Sequence, residues 1–426
     1  MFQKAFIFKK NPDTEYTGRN GVNVSEKLYT SETGYGFVTV KNRAEQELLQ
    51  IPAITSGFIP TENPAAGRLI PVMFRADVPH SGNYRVEVNA TNDGQEALIF
   101  LERRRLYSLE PFSGTMNFSF TCNVCDIIPE HKERIYRDSS LDIAWAGEGL
   151  TVNAVEIREQ ACPTIFIAGD STVTDQPADY PYSPGTSYSG WGQMLSAYLN
   201  DTVAVSNHAH SGLTTESFRK EGHYSIISKD IAPGDYFFMQ FGHNDQKLDH
   251  LRQNTGYREN LIRYIDEIRE RGAFPVIVTS LARNTWFNNG EAYNDLLKDY
   301  AEECLVIGRE YDVPVLDLHR FSMELVMREG LEESRKYYFP GDLSHTNDFG
   351  AYLMAGYIAS EMKRVASESK VQAYKLFASM LRTGVSEWKI DPERLKLPAA
   401  EGQKNPAVEE PYRLKMDRLS EIIKNR

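Results

Sequence analysis

Four cysteines in 426 residues, at positions 122, 125, 162 and 304, are too few and too scattered for a disulfide framework or a four-thiolate metal site. Cys122 and Cys125 stand in a C-x-x-C, but neither a second pair nor a redox-type helix accompanies them, so they read as two cysteines near a strand end. Long apolar runs are missing as well. Nothing approaches the roughly 18 to 20 residues that span a bilayer, which argues against a membrane protein. Basic residues are in the minority, 47 Lys and Arg against 59 Asp and Glu for a formal net charge of -12, and no basic run stands out. A nucleic-acid partner, which needs clustered positive charge, is not expected. The first ten residues hold only a short apolar stretch, less than the roughly 7 to 15 residues at the core of a secretory signal, so the expected location is the cytoplasm, or outside the cell if a leader has been removed.

What is present falls into parts. From the N-terminus to about Ile157, alternating stretches such as 84–90 and 116–120 are broken by Gly, Pro, Asn and Asp, and helical periodicity is nearly absent. Strands without intervening helices predict antiparallel sheets, here a β-sandwich domain over 1–158. After Pro163, apolar strands at 164–168, 203–206, 236–241, 275–280 and 315–318 alternate with amphipathic patterns at 192–199, 257–271 and 291–311. That rhythm predicts an α/β fold, a three-layer α/β/α domain over 163–366 whose five parallel strands are covered on both faces. The stretch 367–426 is charged and helical in places, interrupted by Pro398, Pro406 and Pro411. It reads as a helical C-terminal extension or an oligomer contact.

Ligands of such sheets sit beyond the carboxyl ends of the strands, so the residues after each strand are the candidates for chemistry. Gly169-Asp-Ser-Thr172 follows the first strand and exposes Ser171 where a nucleophile is wanted, although Gly, Asp and Ser also make ordinary turns. Asn207-His-Ala-His-Ser-Gly-Leu213 follows the second strand and Phe241-Gly-His-Asn-Asp245 the third. A tetrahedral intermediate needs donors aimed at its oxyanion, and the Gly212 N–H, the Asn244 amide and the Ser171 N–H would supply them. Asp342 and His345, three apart in Phe339-Pro-Gly-Asp-Leu-Ser-His-Thr346, have the spacing for a carboxylate to orient an imidazole as general base.

These four blocks, in this order, resemble the SGNH or GDSL hydrolases, named for the Ser, Gly, Asn and His of four separate blocks, here Ser171, Gly212, Asn244 and His345. The words Ala168-Gly-Asp-Ser-Thr-Val-Thr174, Gly190-Trp-Gly-Gln193, Phe241-Gly-His-Asn-Asp245 and Asp342-Leu-Ser-His345 are most similar to the rhamnogalacturonan acetylesterase branch. The resemblance covers roughly 163–365, and the β-rich region resembles the galactose-binding-like accessory sandwich that some members carry. It implies a flavodoxin-like catalytic domain with Ser171 as nucleophile, His345 as general base and then acid, and Asp342 orienting it. It further implies an oxyanion hole of Gly212, Asn244 and the Ser171 amide, no metal and no cofactor, and an acetylated pectic oligosaccharide as substrate. Gly212-Leu-Thr-Thr-Glu216 departs from the branch's Gly-x-Ser-x-Arg-type word, which touches the substrate contacts near Glu216.

Other readings compete. His208, His210 and His243 with Asp245 lie at neighbouring strand ends and are ordinary zinc ligand types, but the spacing of a recognised zinc motif is missing. Trp286 and Phe287 offer an aromatic face for a sugar ring, with Arg283 for a uronate and His243 as a further substrate contact; core packing is the competing explanation for Trp286. Trp191 is expected to start a helix beneath the site, and Trp145 to belong to the sandwich core. A non-catalytic carbohydrate-binding protein and a lipase or thioesterase remain alternatives. The first would be expected to have lost one of Ser, Asp, His or Asn, and no apolar lid stretch favours a lipase.

Overall fold

The structure, a computed structural model, describes residues 2–8, 21–24, 28–38, 57–60, 69–129 and 134–390. Its N-terminal half contains strands β1 (Gln3–Ile7), β2 (Gly21–Asn23), β3 (Tyr35–Phe37), β4 (Val72–Asp77), β5 (Gly82–Asp93), β6 (Leu98–Leu101), β7 (Arg105–Ser108), β8 (Ser113–Val124), β9 (Ser140–Ala146) and β10 (Thr151–Glu159). They make two five-stranded sheets, ordered β2-β1-β10-β5-β8 and β3-β4-β9-β6-β7. All pairs are antiparallel except β1 with β2.

Successive strand residues face opposite sides of a sheet, and this alternation shows what each face meets. From β5, Tyr84, Val86 and Val88 turn into the space between the sheets, where they join Phe6, Phe74, Ile99, Leu101, Phe120, Ile143 and Trp145. The alternate residues of the second sheet, Leu98, Phe100, Ala144 and Ala146, are equally buried but belong to the core of the C-terminal half. All four residues of β6 and all seven of β9 are buried. The second sheet is therefore buried on both faces at its centre, and its outer face is the floor on which the other half is built. A short parallel pair, Phe58–Pro60 with Ala178–Tyr180, crosses the same boundary.

The C-terminal half is a parallel sheet of β11 (Thr164–Gly169), β12 (Ala204–Asn207), β13 (Tyr236–Gln240), β14 (Phe274–Val278) and β15 (Val315–Leu316), ordered β12-β11-β13-β14-β15. Alternation again assigns the faces. Ile165, Ile167, Phe238, Val276 and Val278 point to one layer, and Phe166, Ala168, Phe237, Met239 and Ile277 to the other. Helices α1 (Trp191–Met194), α2 (Ser217–Lys220), α3 (His223–Asp230), α4 (Arg258–Glu270), α5 (Lys298–Glu310), α6 (Leu318–Glu333) and α7 (Asp348–Glu368) cover the sheet. In α4, Leu261, Tyr264, Ile265 and Ile268 are buried at helical spacing, the stripe a helix needs to pack on a sheet. No helix among the described residues is long and apolar enough to cross a membrane.

Two sequence expectations shift. The pattern at 291–311 becomes a helix only from Lys298, because Ala292–Tyr293 pairs with Trp286–Phe287 as a short hairpin and the Asn294 N–H donates to the Thr285 carbonyl. The strand at 315–318 stops at Leu316, because Asp317 caps α6 by accepting from the Arg320 N–H. Beyond α7, helices α8 (Gln372–Lys375) and α9 (Phe377–Met380) bury Tyr374, Phe377 and Met380, and Trp388 packs 4.9 Å from the Phe349 ring. That stretch is part of the core; the remainder of the C-terminal extension lies outside the described residues.

The word Gly190-Trp-Gly-Gln193 has a steric meaning. A Cβ at Gly190 would sit 2.2 Å from the Val173 carbonyl carbon, and one at Gly192 would sit 2.6 Å from the Val173 oxygen. Gly190→Ala is expected to cost clearly more than the roughly 1 kcal/mol typical of a point change, read as a lowered urea midpoint. A midpoint equal to that of the parent protein would show that the Val173 turn yields easily.

Candidate active site

Ser171 stands in the turn after β11, where the Val173 and Thr174 N–H groups donate to the Asp170 carbonyl at 3.1 and 3.2 Å. Asp170 Oδ1 accepts from the Thr172 N–H and hydroxyl at 3.0 and 2.8 Å. Gly169 is required by close approach, since a Cβ there would come within 2.9 Å of the Gln240 oxygen. Beneath the turn, the fully buried Trp191 donates Nε1–H to Gln240 Oε1 at 2.8 Å, and Gln240 Nε2 donates to Thr172 Oγ1 at 2.7 Å. The serine is thus presented on a turn whose every neighbour is tied to the sheet.

His345 Nε2 lies 2.8 Å from Ser171 Oγ, and His345 Nδ1 lies 2.9 Å from Asp342 Oδ2. The other carboxylate oxygen, Oδ1, accepts from the Ser344 and His345 N–H groups at 2.7 and 3.0 Å. These two bonds fold the segment so that an acid and a histidine three residues apart face each other. The loop is closed by Phe339 N–H to the His345 carbonyl at 2.9 Å. Asn347 then caps α7 by accepting from the Gly350 N–H at 3.0 Å. Burial would raise the Asp342 carboxyl, but the charge and hydrogen bond of His345, with the two backbone donors, outweigh it and hold it well below the usual carboxylate range.

The second and third blocks are stitched together. Asn244 Nδ2 donates to the Leu213 carbonyl at 3.0 Å, while its Oδ1 accepts from Lys247 Nζ at 2.8 Å. An amide whose oxygen is held by a cation must turn its nitrogen the other way, so Lys247 sets the orientation of Asn244. Fully buried Asp245 accepts from the Thr215 N–H and hydroxyl at 2.9 and 2.6 Å and from the Gly242 N–H at 3.1 Å. Its desolvation raises its pKa to about 7 despite the Thr215 donors. Gly212 adopts φ +83°, and nothing lies within 4 Å of where its Cβ would be. The left-handed conformation accounts for the glycine, and its surroundings are open.

The proposed substrate contacts are placed differently from the blocks. His243 is buried with Nδ1 3.4 Å from Asp170 Oδ2; burial, partly offset by Asp170, lowers its pKa to about 4. Arg283 is buried too. It donates Nη1–H to Ser344 Oγ and Nη2–H to the His243 carbonyl at 3.4 Å, beneath the His345 loop. Trp286 is 8% exposed, packs with Val326, Leu331 and Tyr338, and donates Nε1–H to Asn284 Oδ1 at 2.8 Å. The hairpin alternation that buries Trp286 leaves Phe287 47% exposed, so the side chain offered to a solvent-borne ring is Phe287. Glu216 pairs with Lys220 and His250.

Among the described residues, no three His, Cys, Asp or Glu side chains converge as metal ligands. His208 Nε2 is 2.9 Å from Ser206 Oγ and 3.8 Å from Cys125 Sγ, the ring of His210 packs 5.1 Å from that of His223, and Cys122 is buried in β8.

Sequence reasoning missed Tyr188. Its ring stacks on Phe339 at 3.7 Å and meets His345 edge-on at 5.6 Å, and its hydroxyl donates to Asp342 Oδ2 at 3.3 Å. It also missed Lys247 and a run of three arginines, Arg103, Arg104 and Arg105, that enters from the β-rich half. The nearby Gly190-Trp-Gly-Gln193 word was the one signal pointing to the neighbourhood of Tyr188.

A hydroxyl after a strand, in line with an imidazole and a carboxylate from a neighbouring loop, supplies the parts of a nucleophilic acyl-transfer site. Residues 167–353 match the GDSL-like Lipase/Acylhydrolase family. The rhamnogalacturonan acetylesterase RhgT of Bacillus subtilis is 38% identical over 174 residues, 41% of this chain and 72% of that protein. The probable rhamnogalacturonan acetylesterase YesY of the same organism is 32% identical over 209 residues, 47% of this chain and 93% of YesY. The uncharacterized esterase YxiM, also of B. subtilis, is 27% identical over 375 residues, 85% of this chain and 91% of YxiM. The protein is a carboxylic ester hydrolase. It belongs to the GDSL-like lipase/acylhydrolase family.

Because the folded-state pKa of Asp342 lies below its ordinary 3.8, its carboxylate contributes stability that is fully present above the unfolded pKa and is lost as pH falls through the folded one. The gap in unfolding free energy between the parent protein and Asp342→Asn, from urea denaturation, is expected to be constant near neutrality and to shrink below about pH 4. A gap that stays constant down to the acid limit would mean that Asp342 is not ion-paired in solution.

Proposed function

We propose that this chain removes acetyl groups from pectic, rhamnogalacturonan-type oligosaccharides through a Ser171–His345–Asp342 triad and an acyl-enzyme. The observation that carries the reading is the unbroken chain of contacts from Ser171 Oγ to His345 Nε2 at 2.8 Å and from His345 Nδ1 to Asp342 Oδ2 at 2.9 Å. The names of RhgT and YesY support the choice of ester.

The steps follow from those atoms. His345 Nε2 takes the Ser171 proton as Oγ attacks the acetyl carbonyl. Asp342 stays ionised and stabilises the imidazolium. The oxyanion is met by the N–H groups of Ser171 and Gly212 and by the Asn244 Nδ2–H that does not bond Leu213. Collapse breaks the bond to the sugar oxygen, which takes the proton from His345 and leaves acetyl on Ser171. Water, deprotonated by the same imidazole, attacks this ester; acetate departs and Ser171 Oγ recovers its proton. The His345 side chain is 35% exposed, so among the described residues the imidazole is open to an ester carried on a bulky molecule.

Acetate release from acetylated pectin fragments and from a chromogenic acetyl ester tests the reading. The expected result is release that persists with a chelator present, vanishes in Ser171→Ala, and favours the pectin fragments. Activity that survives Ser171→Ala removes the nucleophile assignment; a preference for long-chain esters removes the sugar. Asn244→Ala is expected to lose on the order of a hundred- to a thousandfold in kcat, and near-normal turnover in that variant would take Asn244 out of the oxyanion hole.

A further inference from the structure

The turn between β6 and β7 carries Glu102, Arg103 and Arg104, and Arg105 opens β7. In a strand, three consecutive side chains would point alternately to opposite faces. Here Glu102 and Arg104 take left-handed conformations, φ 52° and 56°, which cost an L-residue about 1 kcal/mol or more each. The irregularity breaks the alternation, and all three guanidinium groups enter the C-terminal half. Arg103 and Arg105 share Asp175 at 3.1 and 2.8 Å and donate to the carbonyls of Asn207 and Val205. That set joins the halves.

Arg104 is different. It is fully buried and ion-paired with fully buried Asp348. Its Nη2 donates to the carbonyls of Tyr188 at 2.8 Å and Gln176 at 3.1 Å and to Gln193 Oε1 at 3.3 Å, and its Nε donates to the Gln176 carbonyl at 3.3 Å. Three of the four acceptor residues, Asp348, Tyr188 and Gln176, are one step from the site. Asp348 follows His345 by three residues and opens α7. Tyr188 touches His345 with its ring edge and Asp342 Oδ2 with its hydroxyl. Gln176 reaches back to the Ser171 carbonyl at 3.4 Å. Stability alone does not account for such a residue, since a buried ion pair is often no more stabilising than apolar groups of the same size. A planar fork that fixes several acceptors in one geometry does account for it.

We infer that Arg104 is a positioning residue, supplied by the β-rich half, that holds the serine turn, the Tyr188 backbone and the His345 loop in register from behind. The inference rests on the reading of Ser171, His345 and Asp342 given above. When the fork is lost, Tyr188 shifts and its hydroxyl leaves Asp342. The carboxylate then holds the imidazolium more firmly, and the acid limb of the pH profile moves to higher pH.

The test compares Arg104→Lys with Arg75→Lys and Ser171→Ala on a soluble acetyl ester. Arg104→Lys keeps a charge opposite Asp348, but one ammonium cannot span the acceptors at 176, 188 and 193. Arg75→Lys disrupts another buried bidentate pair, with Asp142 at 2.8 Å on both contacts, whose two partners both belong to the β-rich half. With both lysine variants folded by circular dichroism, Arg104→Lys is expected to lose about tenfold to a hundredfold in kcat, the scale of a displacement near 1 Å. Its KM should stay near that of the parent protein and its acid limb should rise. Arg75→Lys should retain kcat and the limb. An unchanged kcat and limb in Arg104→Lys, or an equal loss in Arg75→Lys, overturns the inference. Should Arg104→Lys not fold, Tyr188→Phe decides: a raised acid limb supports the inference and an unmoved one overturns it. Ser171→Ala separates the two claims. If it is inactive while Arg104→Lys is normal, only the role of Arg104 fails; if it is active, the site reading fails and takes this inference with it.

Discussion

Leu98 and Phe100 on one side of β6, and Ile99 and Leu101 on the other, are all buried, and most of the architecture follows from this. A sheet with two apolar faces cannot stand at a surface, because exposing either would return a large apolar area to water at roughly 25 cal/mol per Å². One face is covered by the first sheet of the sandwich and the other by the layer that contains α1 and α7. The parallel sheet, its helices and the turn that carries Ser171 are therefore assembled against the sandwich. The β-rich half is a wall of the catalytic half's core.

Charges that cross this boundary must be paired, because a buried guanidinium or carboxylate without a partner costs several kcal/mol. The pairs observed are tightly satisfied. Asp175 takes Arg103 and Arg105, and Asp348 takes Arg104 and also accepts from the Gly185 N–H at 3.0 Å. Beneath Ser171 and His345 the balance is different. Arg283 lies under the His345 loop with hydrogen bonds to Ser344 and His243 and, among the described residues, no carboxylate at ion-pair distance. The neighbouring His243 is pushed toward its neutral form by burial, with Arg283 and His345 adding to the effect against Asp170. The interior side of the site is thus held mainly by hydrogen bonds to neutral groups.

The parallel strands were legible because a strand covered on both faces is apolar almost throughout, as Ile165-Phe-Ile-Ala168 and Phe237-Phe-Met239 are. The blocks around Ser171, Gly212 and Asn244 were legible because they begin where such strands end, and that of His345 by its Asp-x-x-His spacing before α7. Trp145 lies in the sandwich core, and Trp191 starts α1 beneath the serine turn. The supporting arginines were not legible. Glu-Arg-Arg-Arg beside a short strand has the composition of a solvated hairpin turn, and only two left-handed residues and a cavity of matching carboxylates turn it inward. Trp286 shows the same limit in the other direction, since Trp286-Phe287 offered an aromatic face for a sugar ring while the indole lies over Val326 and Leu331.

The arrangement of Arg103, Arg104 and Arg105 bears on how such a protein can change by recombination. A sandwich of another lineage could match the apolar face of β6 and β9 in shape and still leave Asp175 and Asp348 opposite nothing. An exchange would succeed only if the incoming module brought the same three guanidinium groups on the same irregular turn. In this chain residues 160–163 mark a change of architecture, but the boundary they cross is one that buried ion pairs to Asp175 and Asp348 also span.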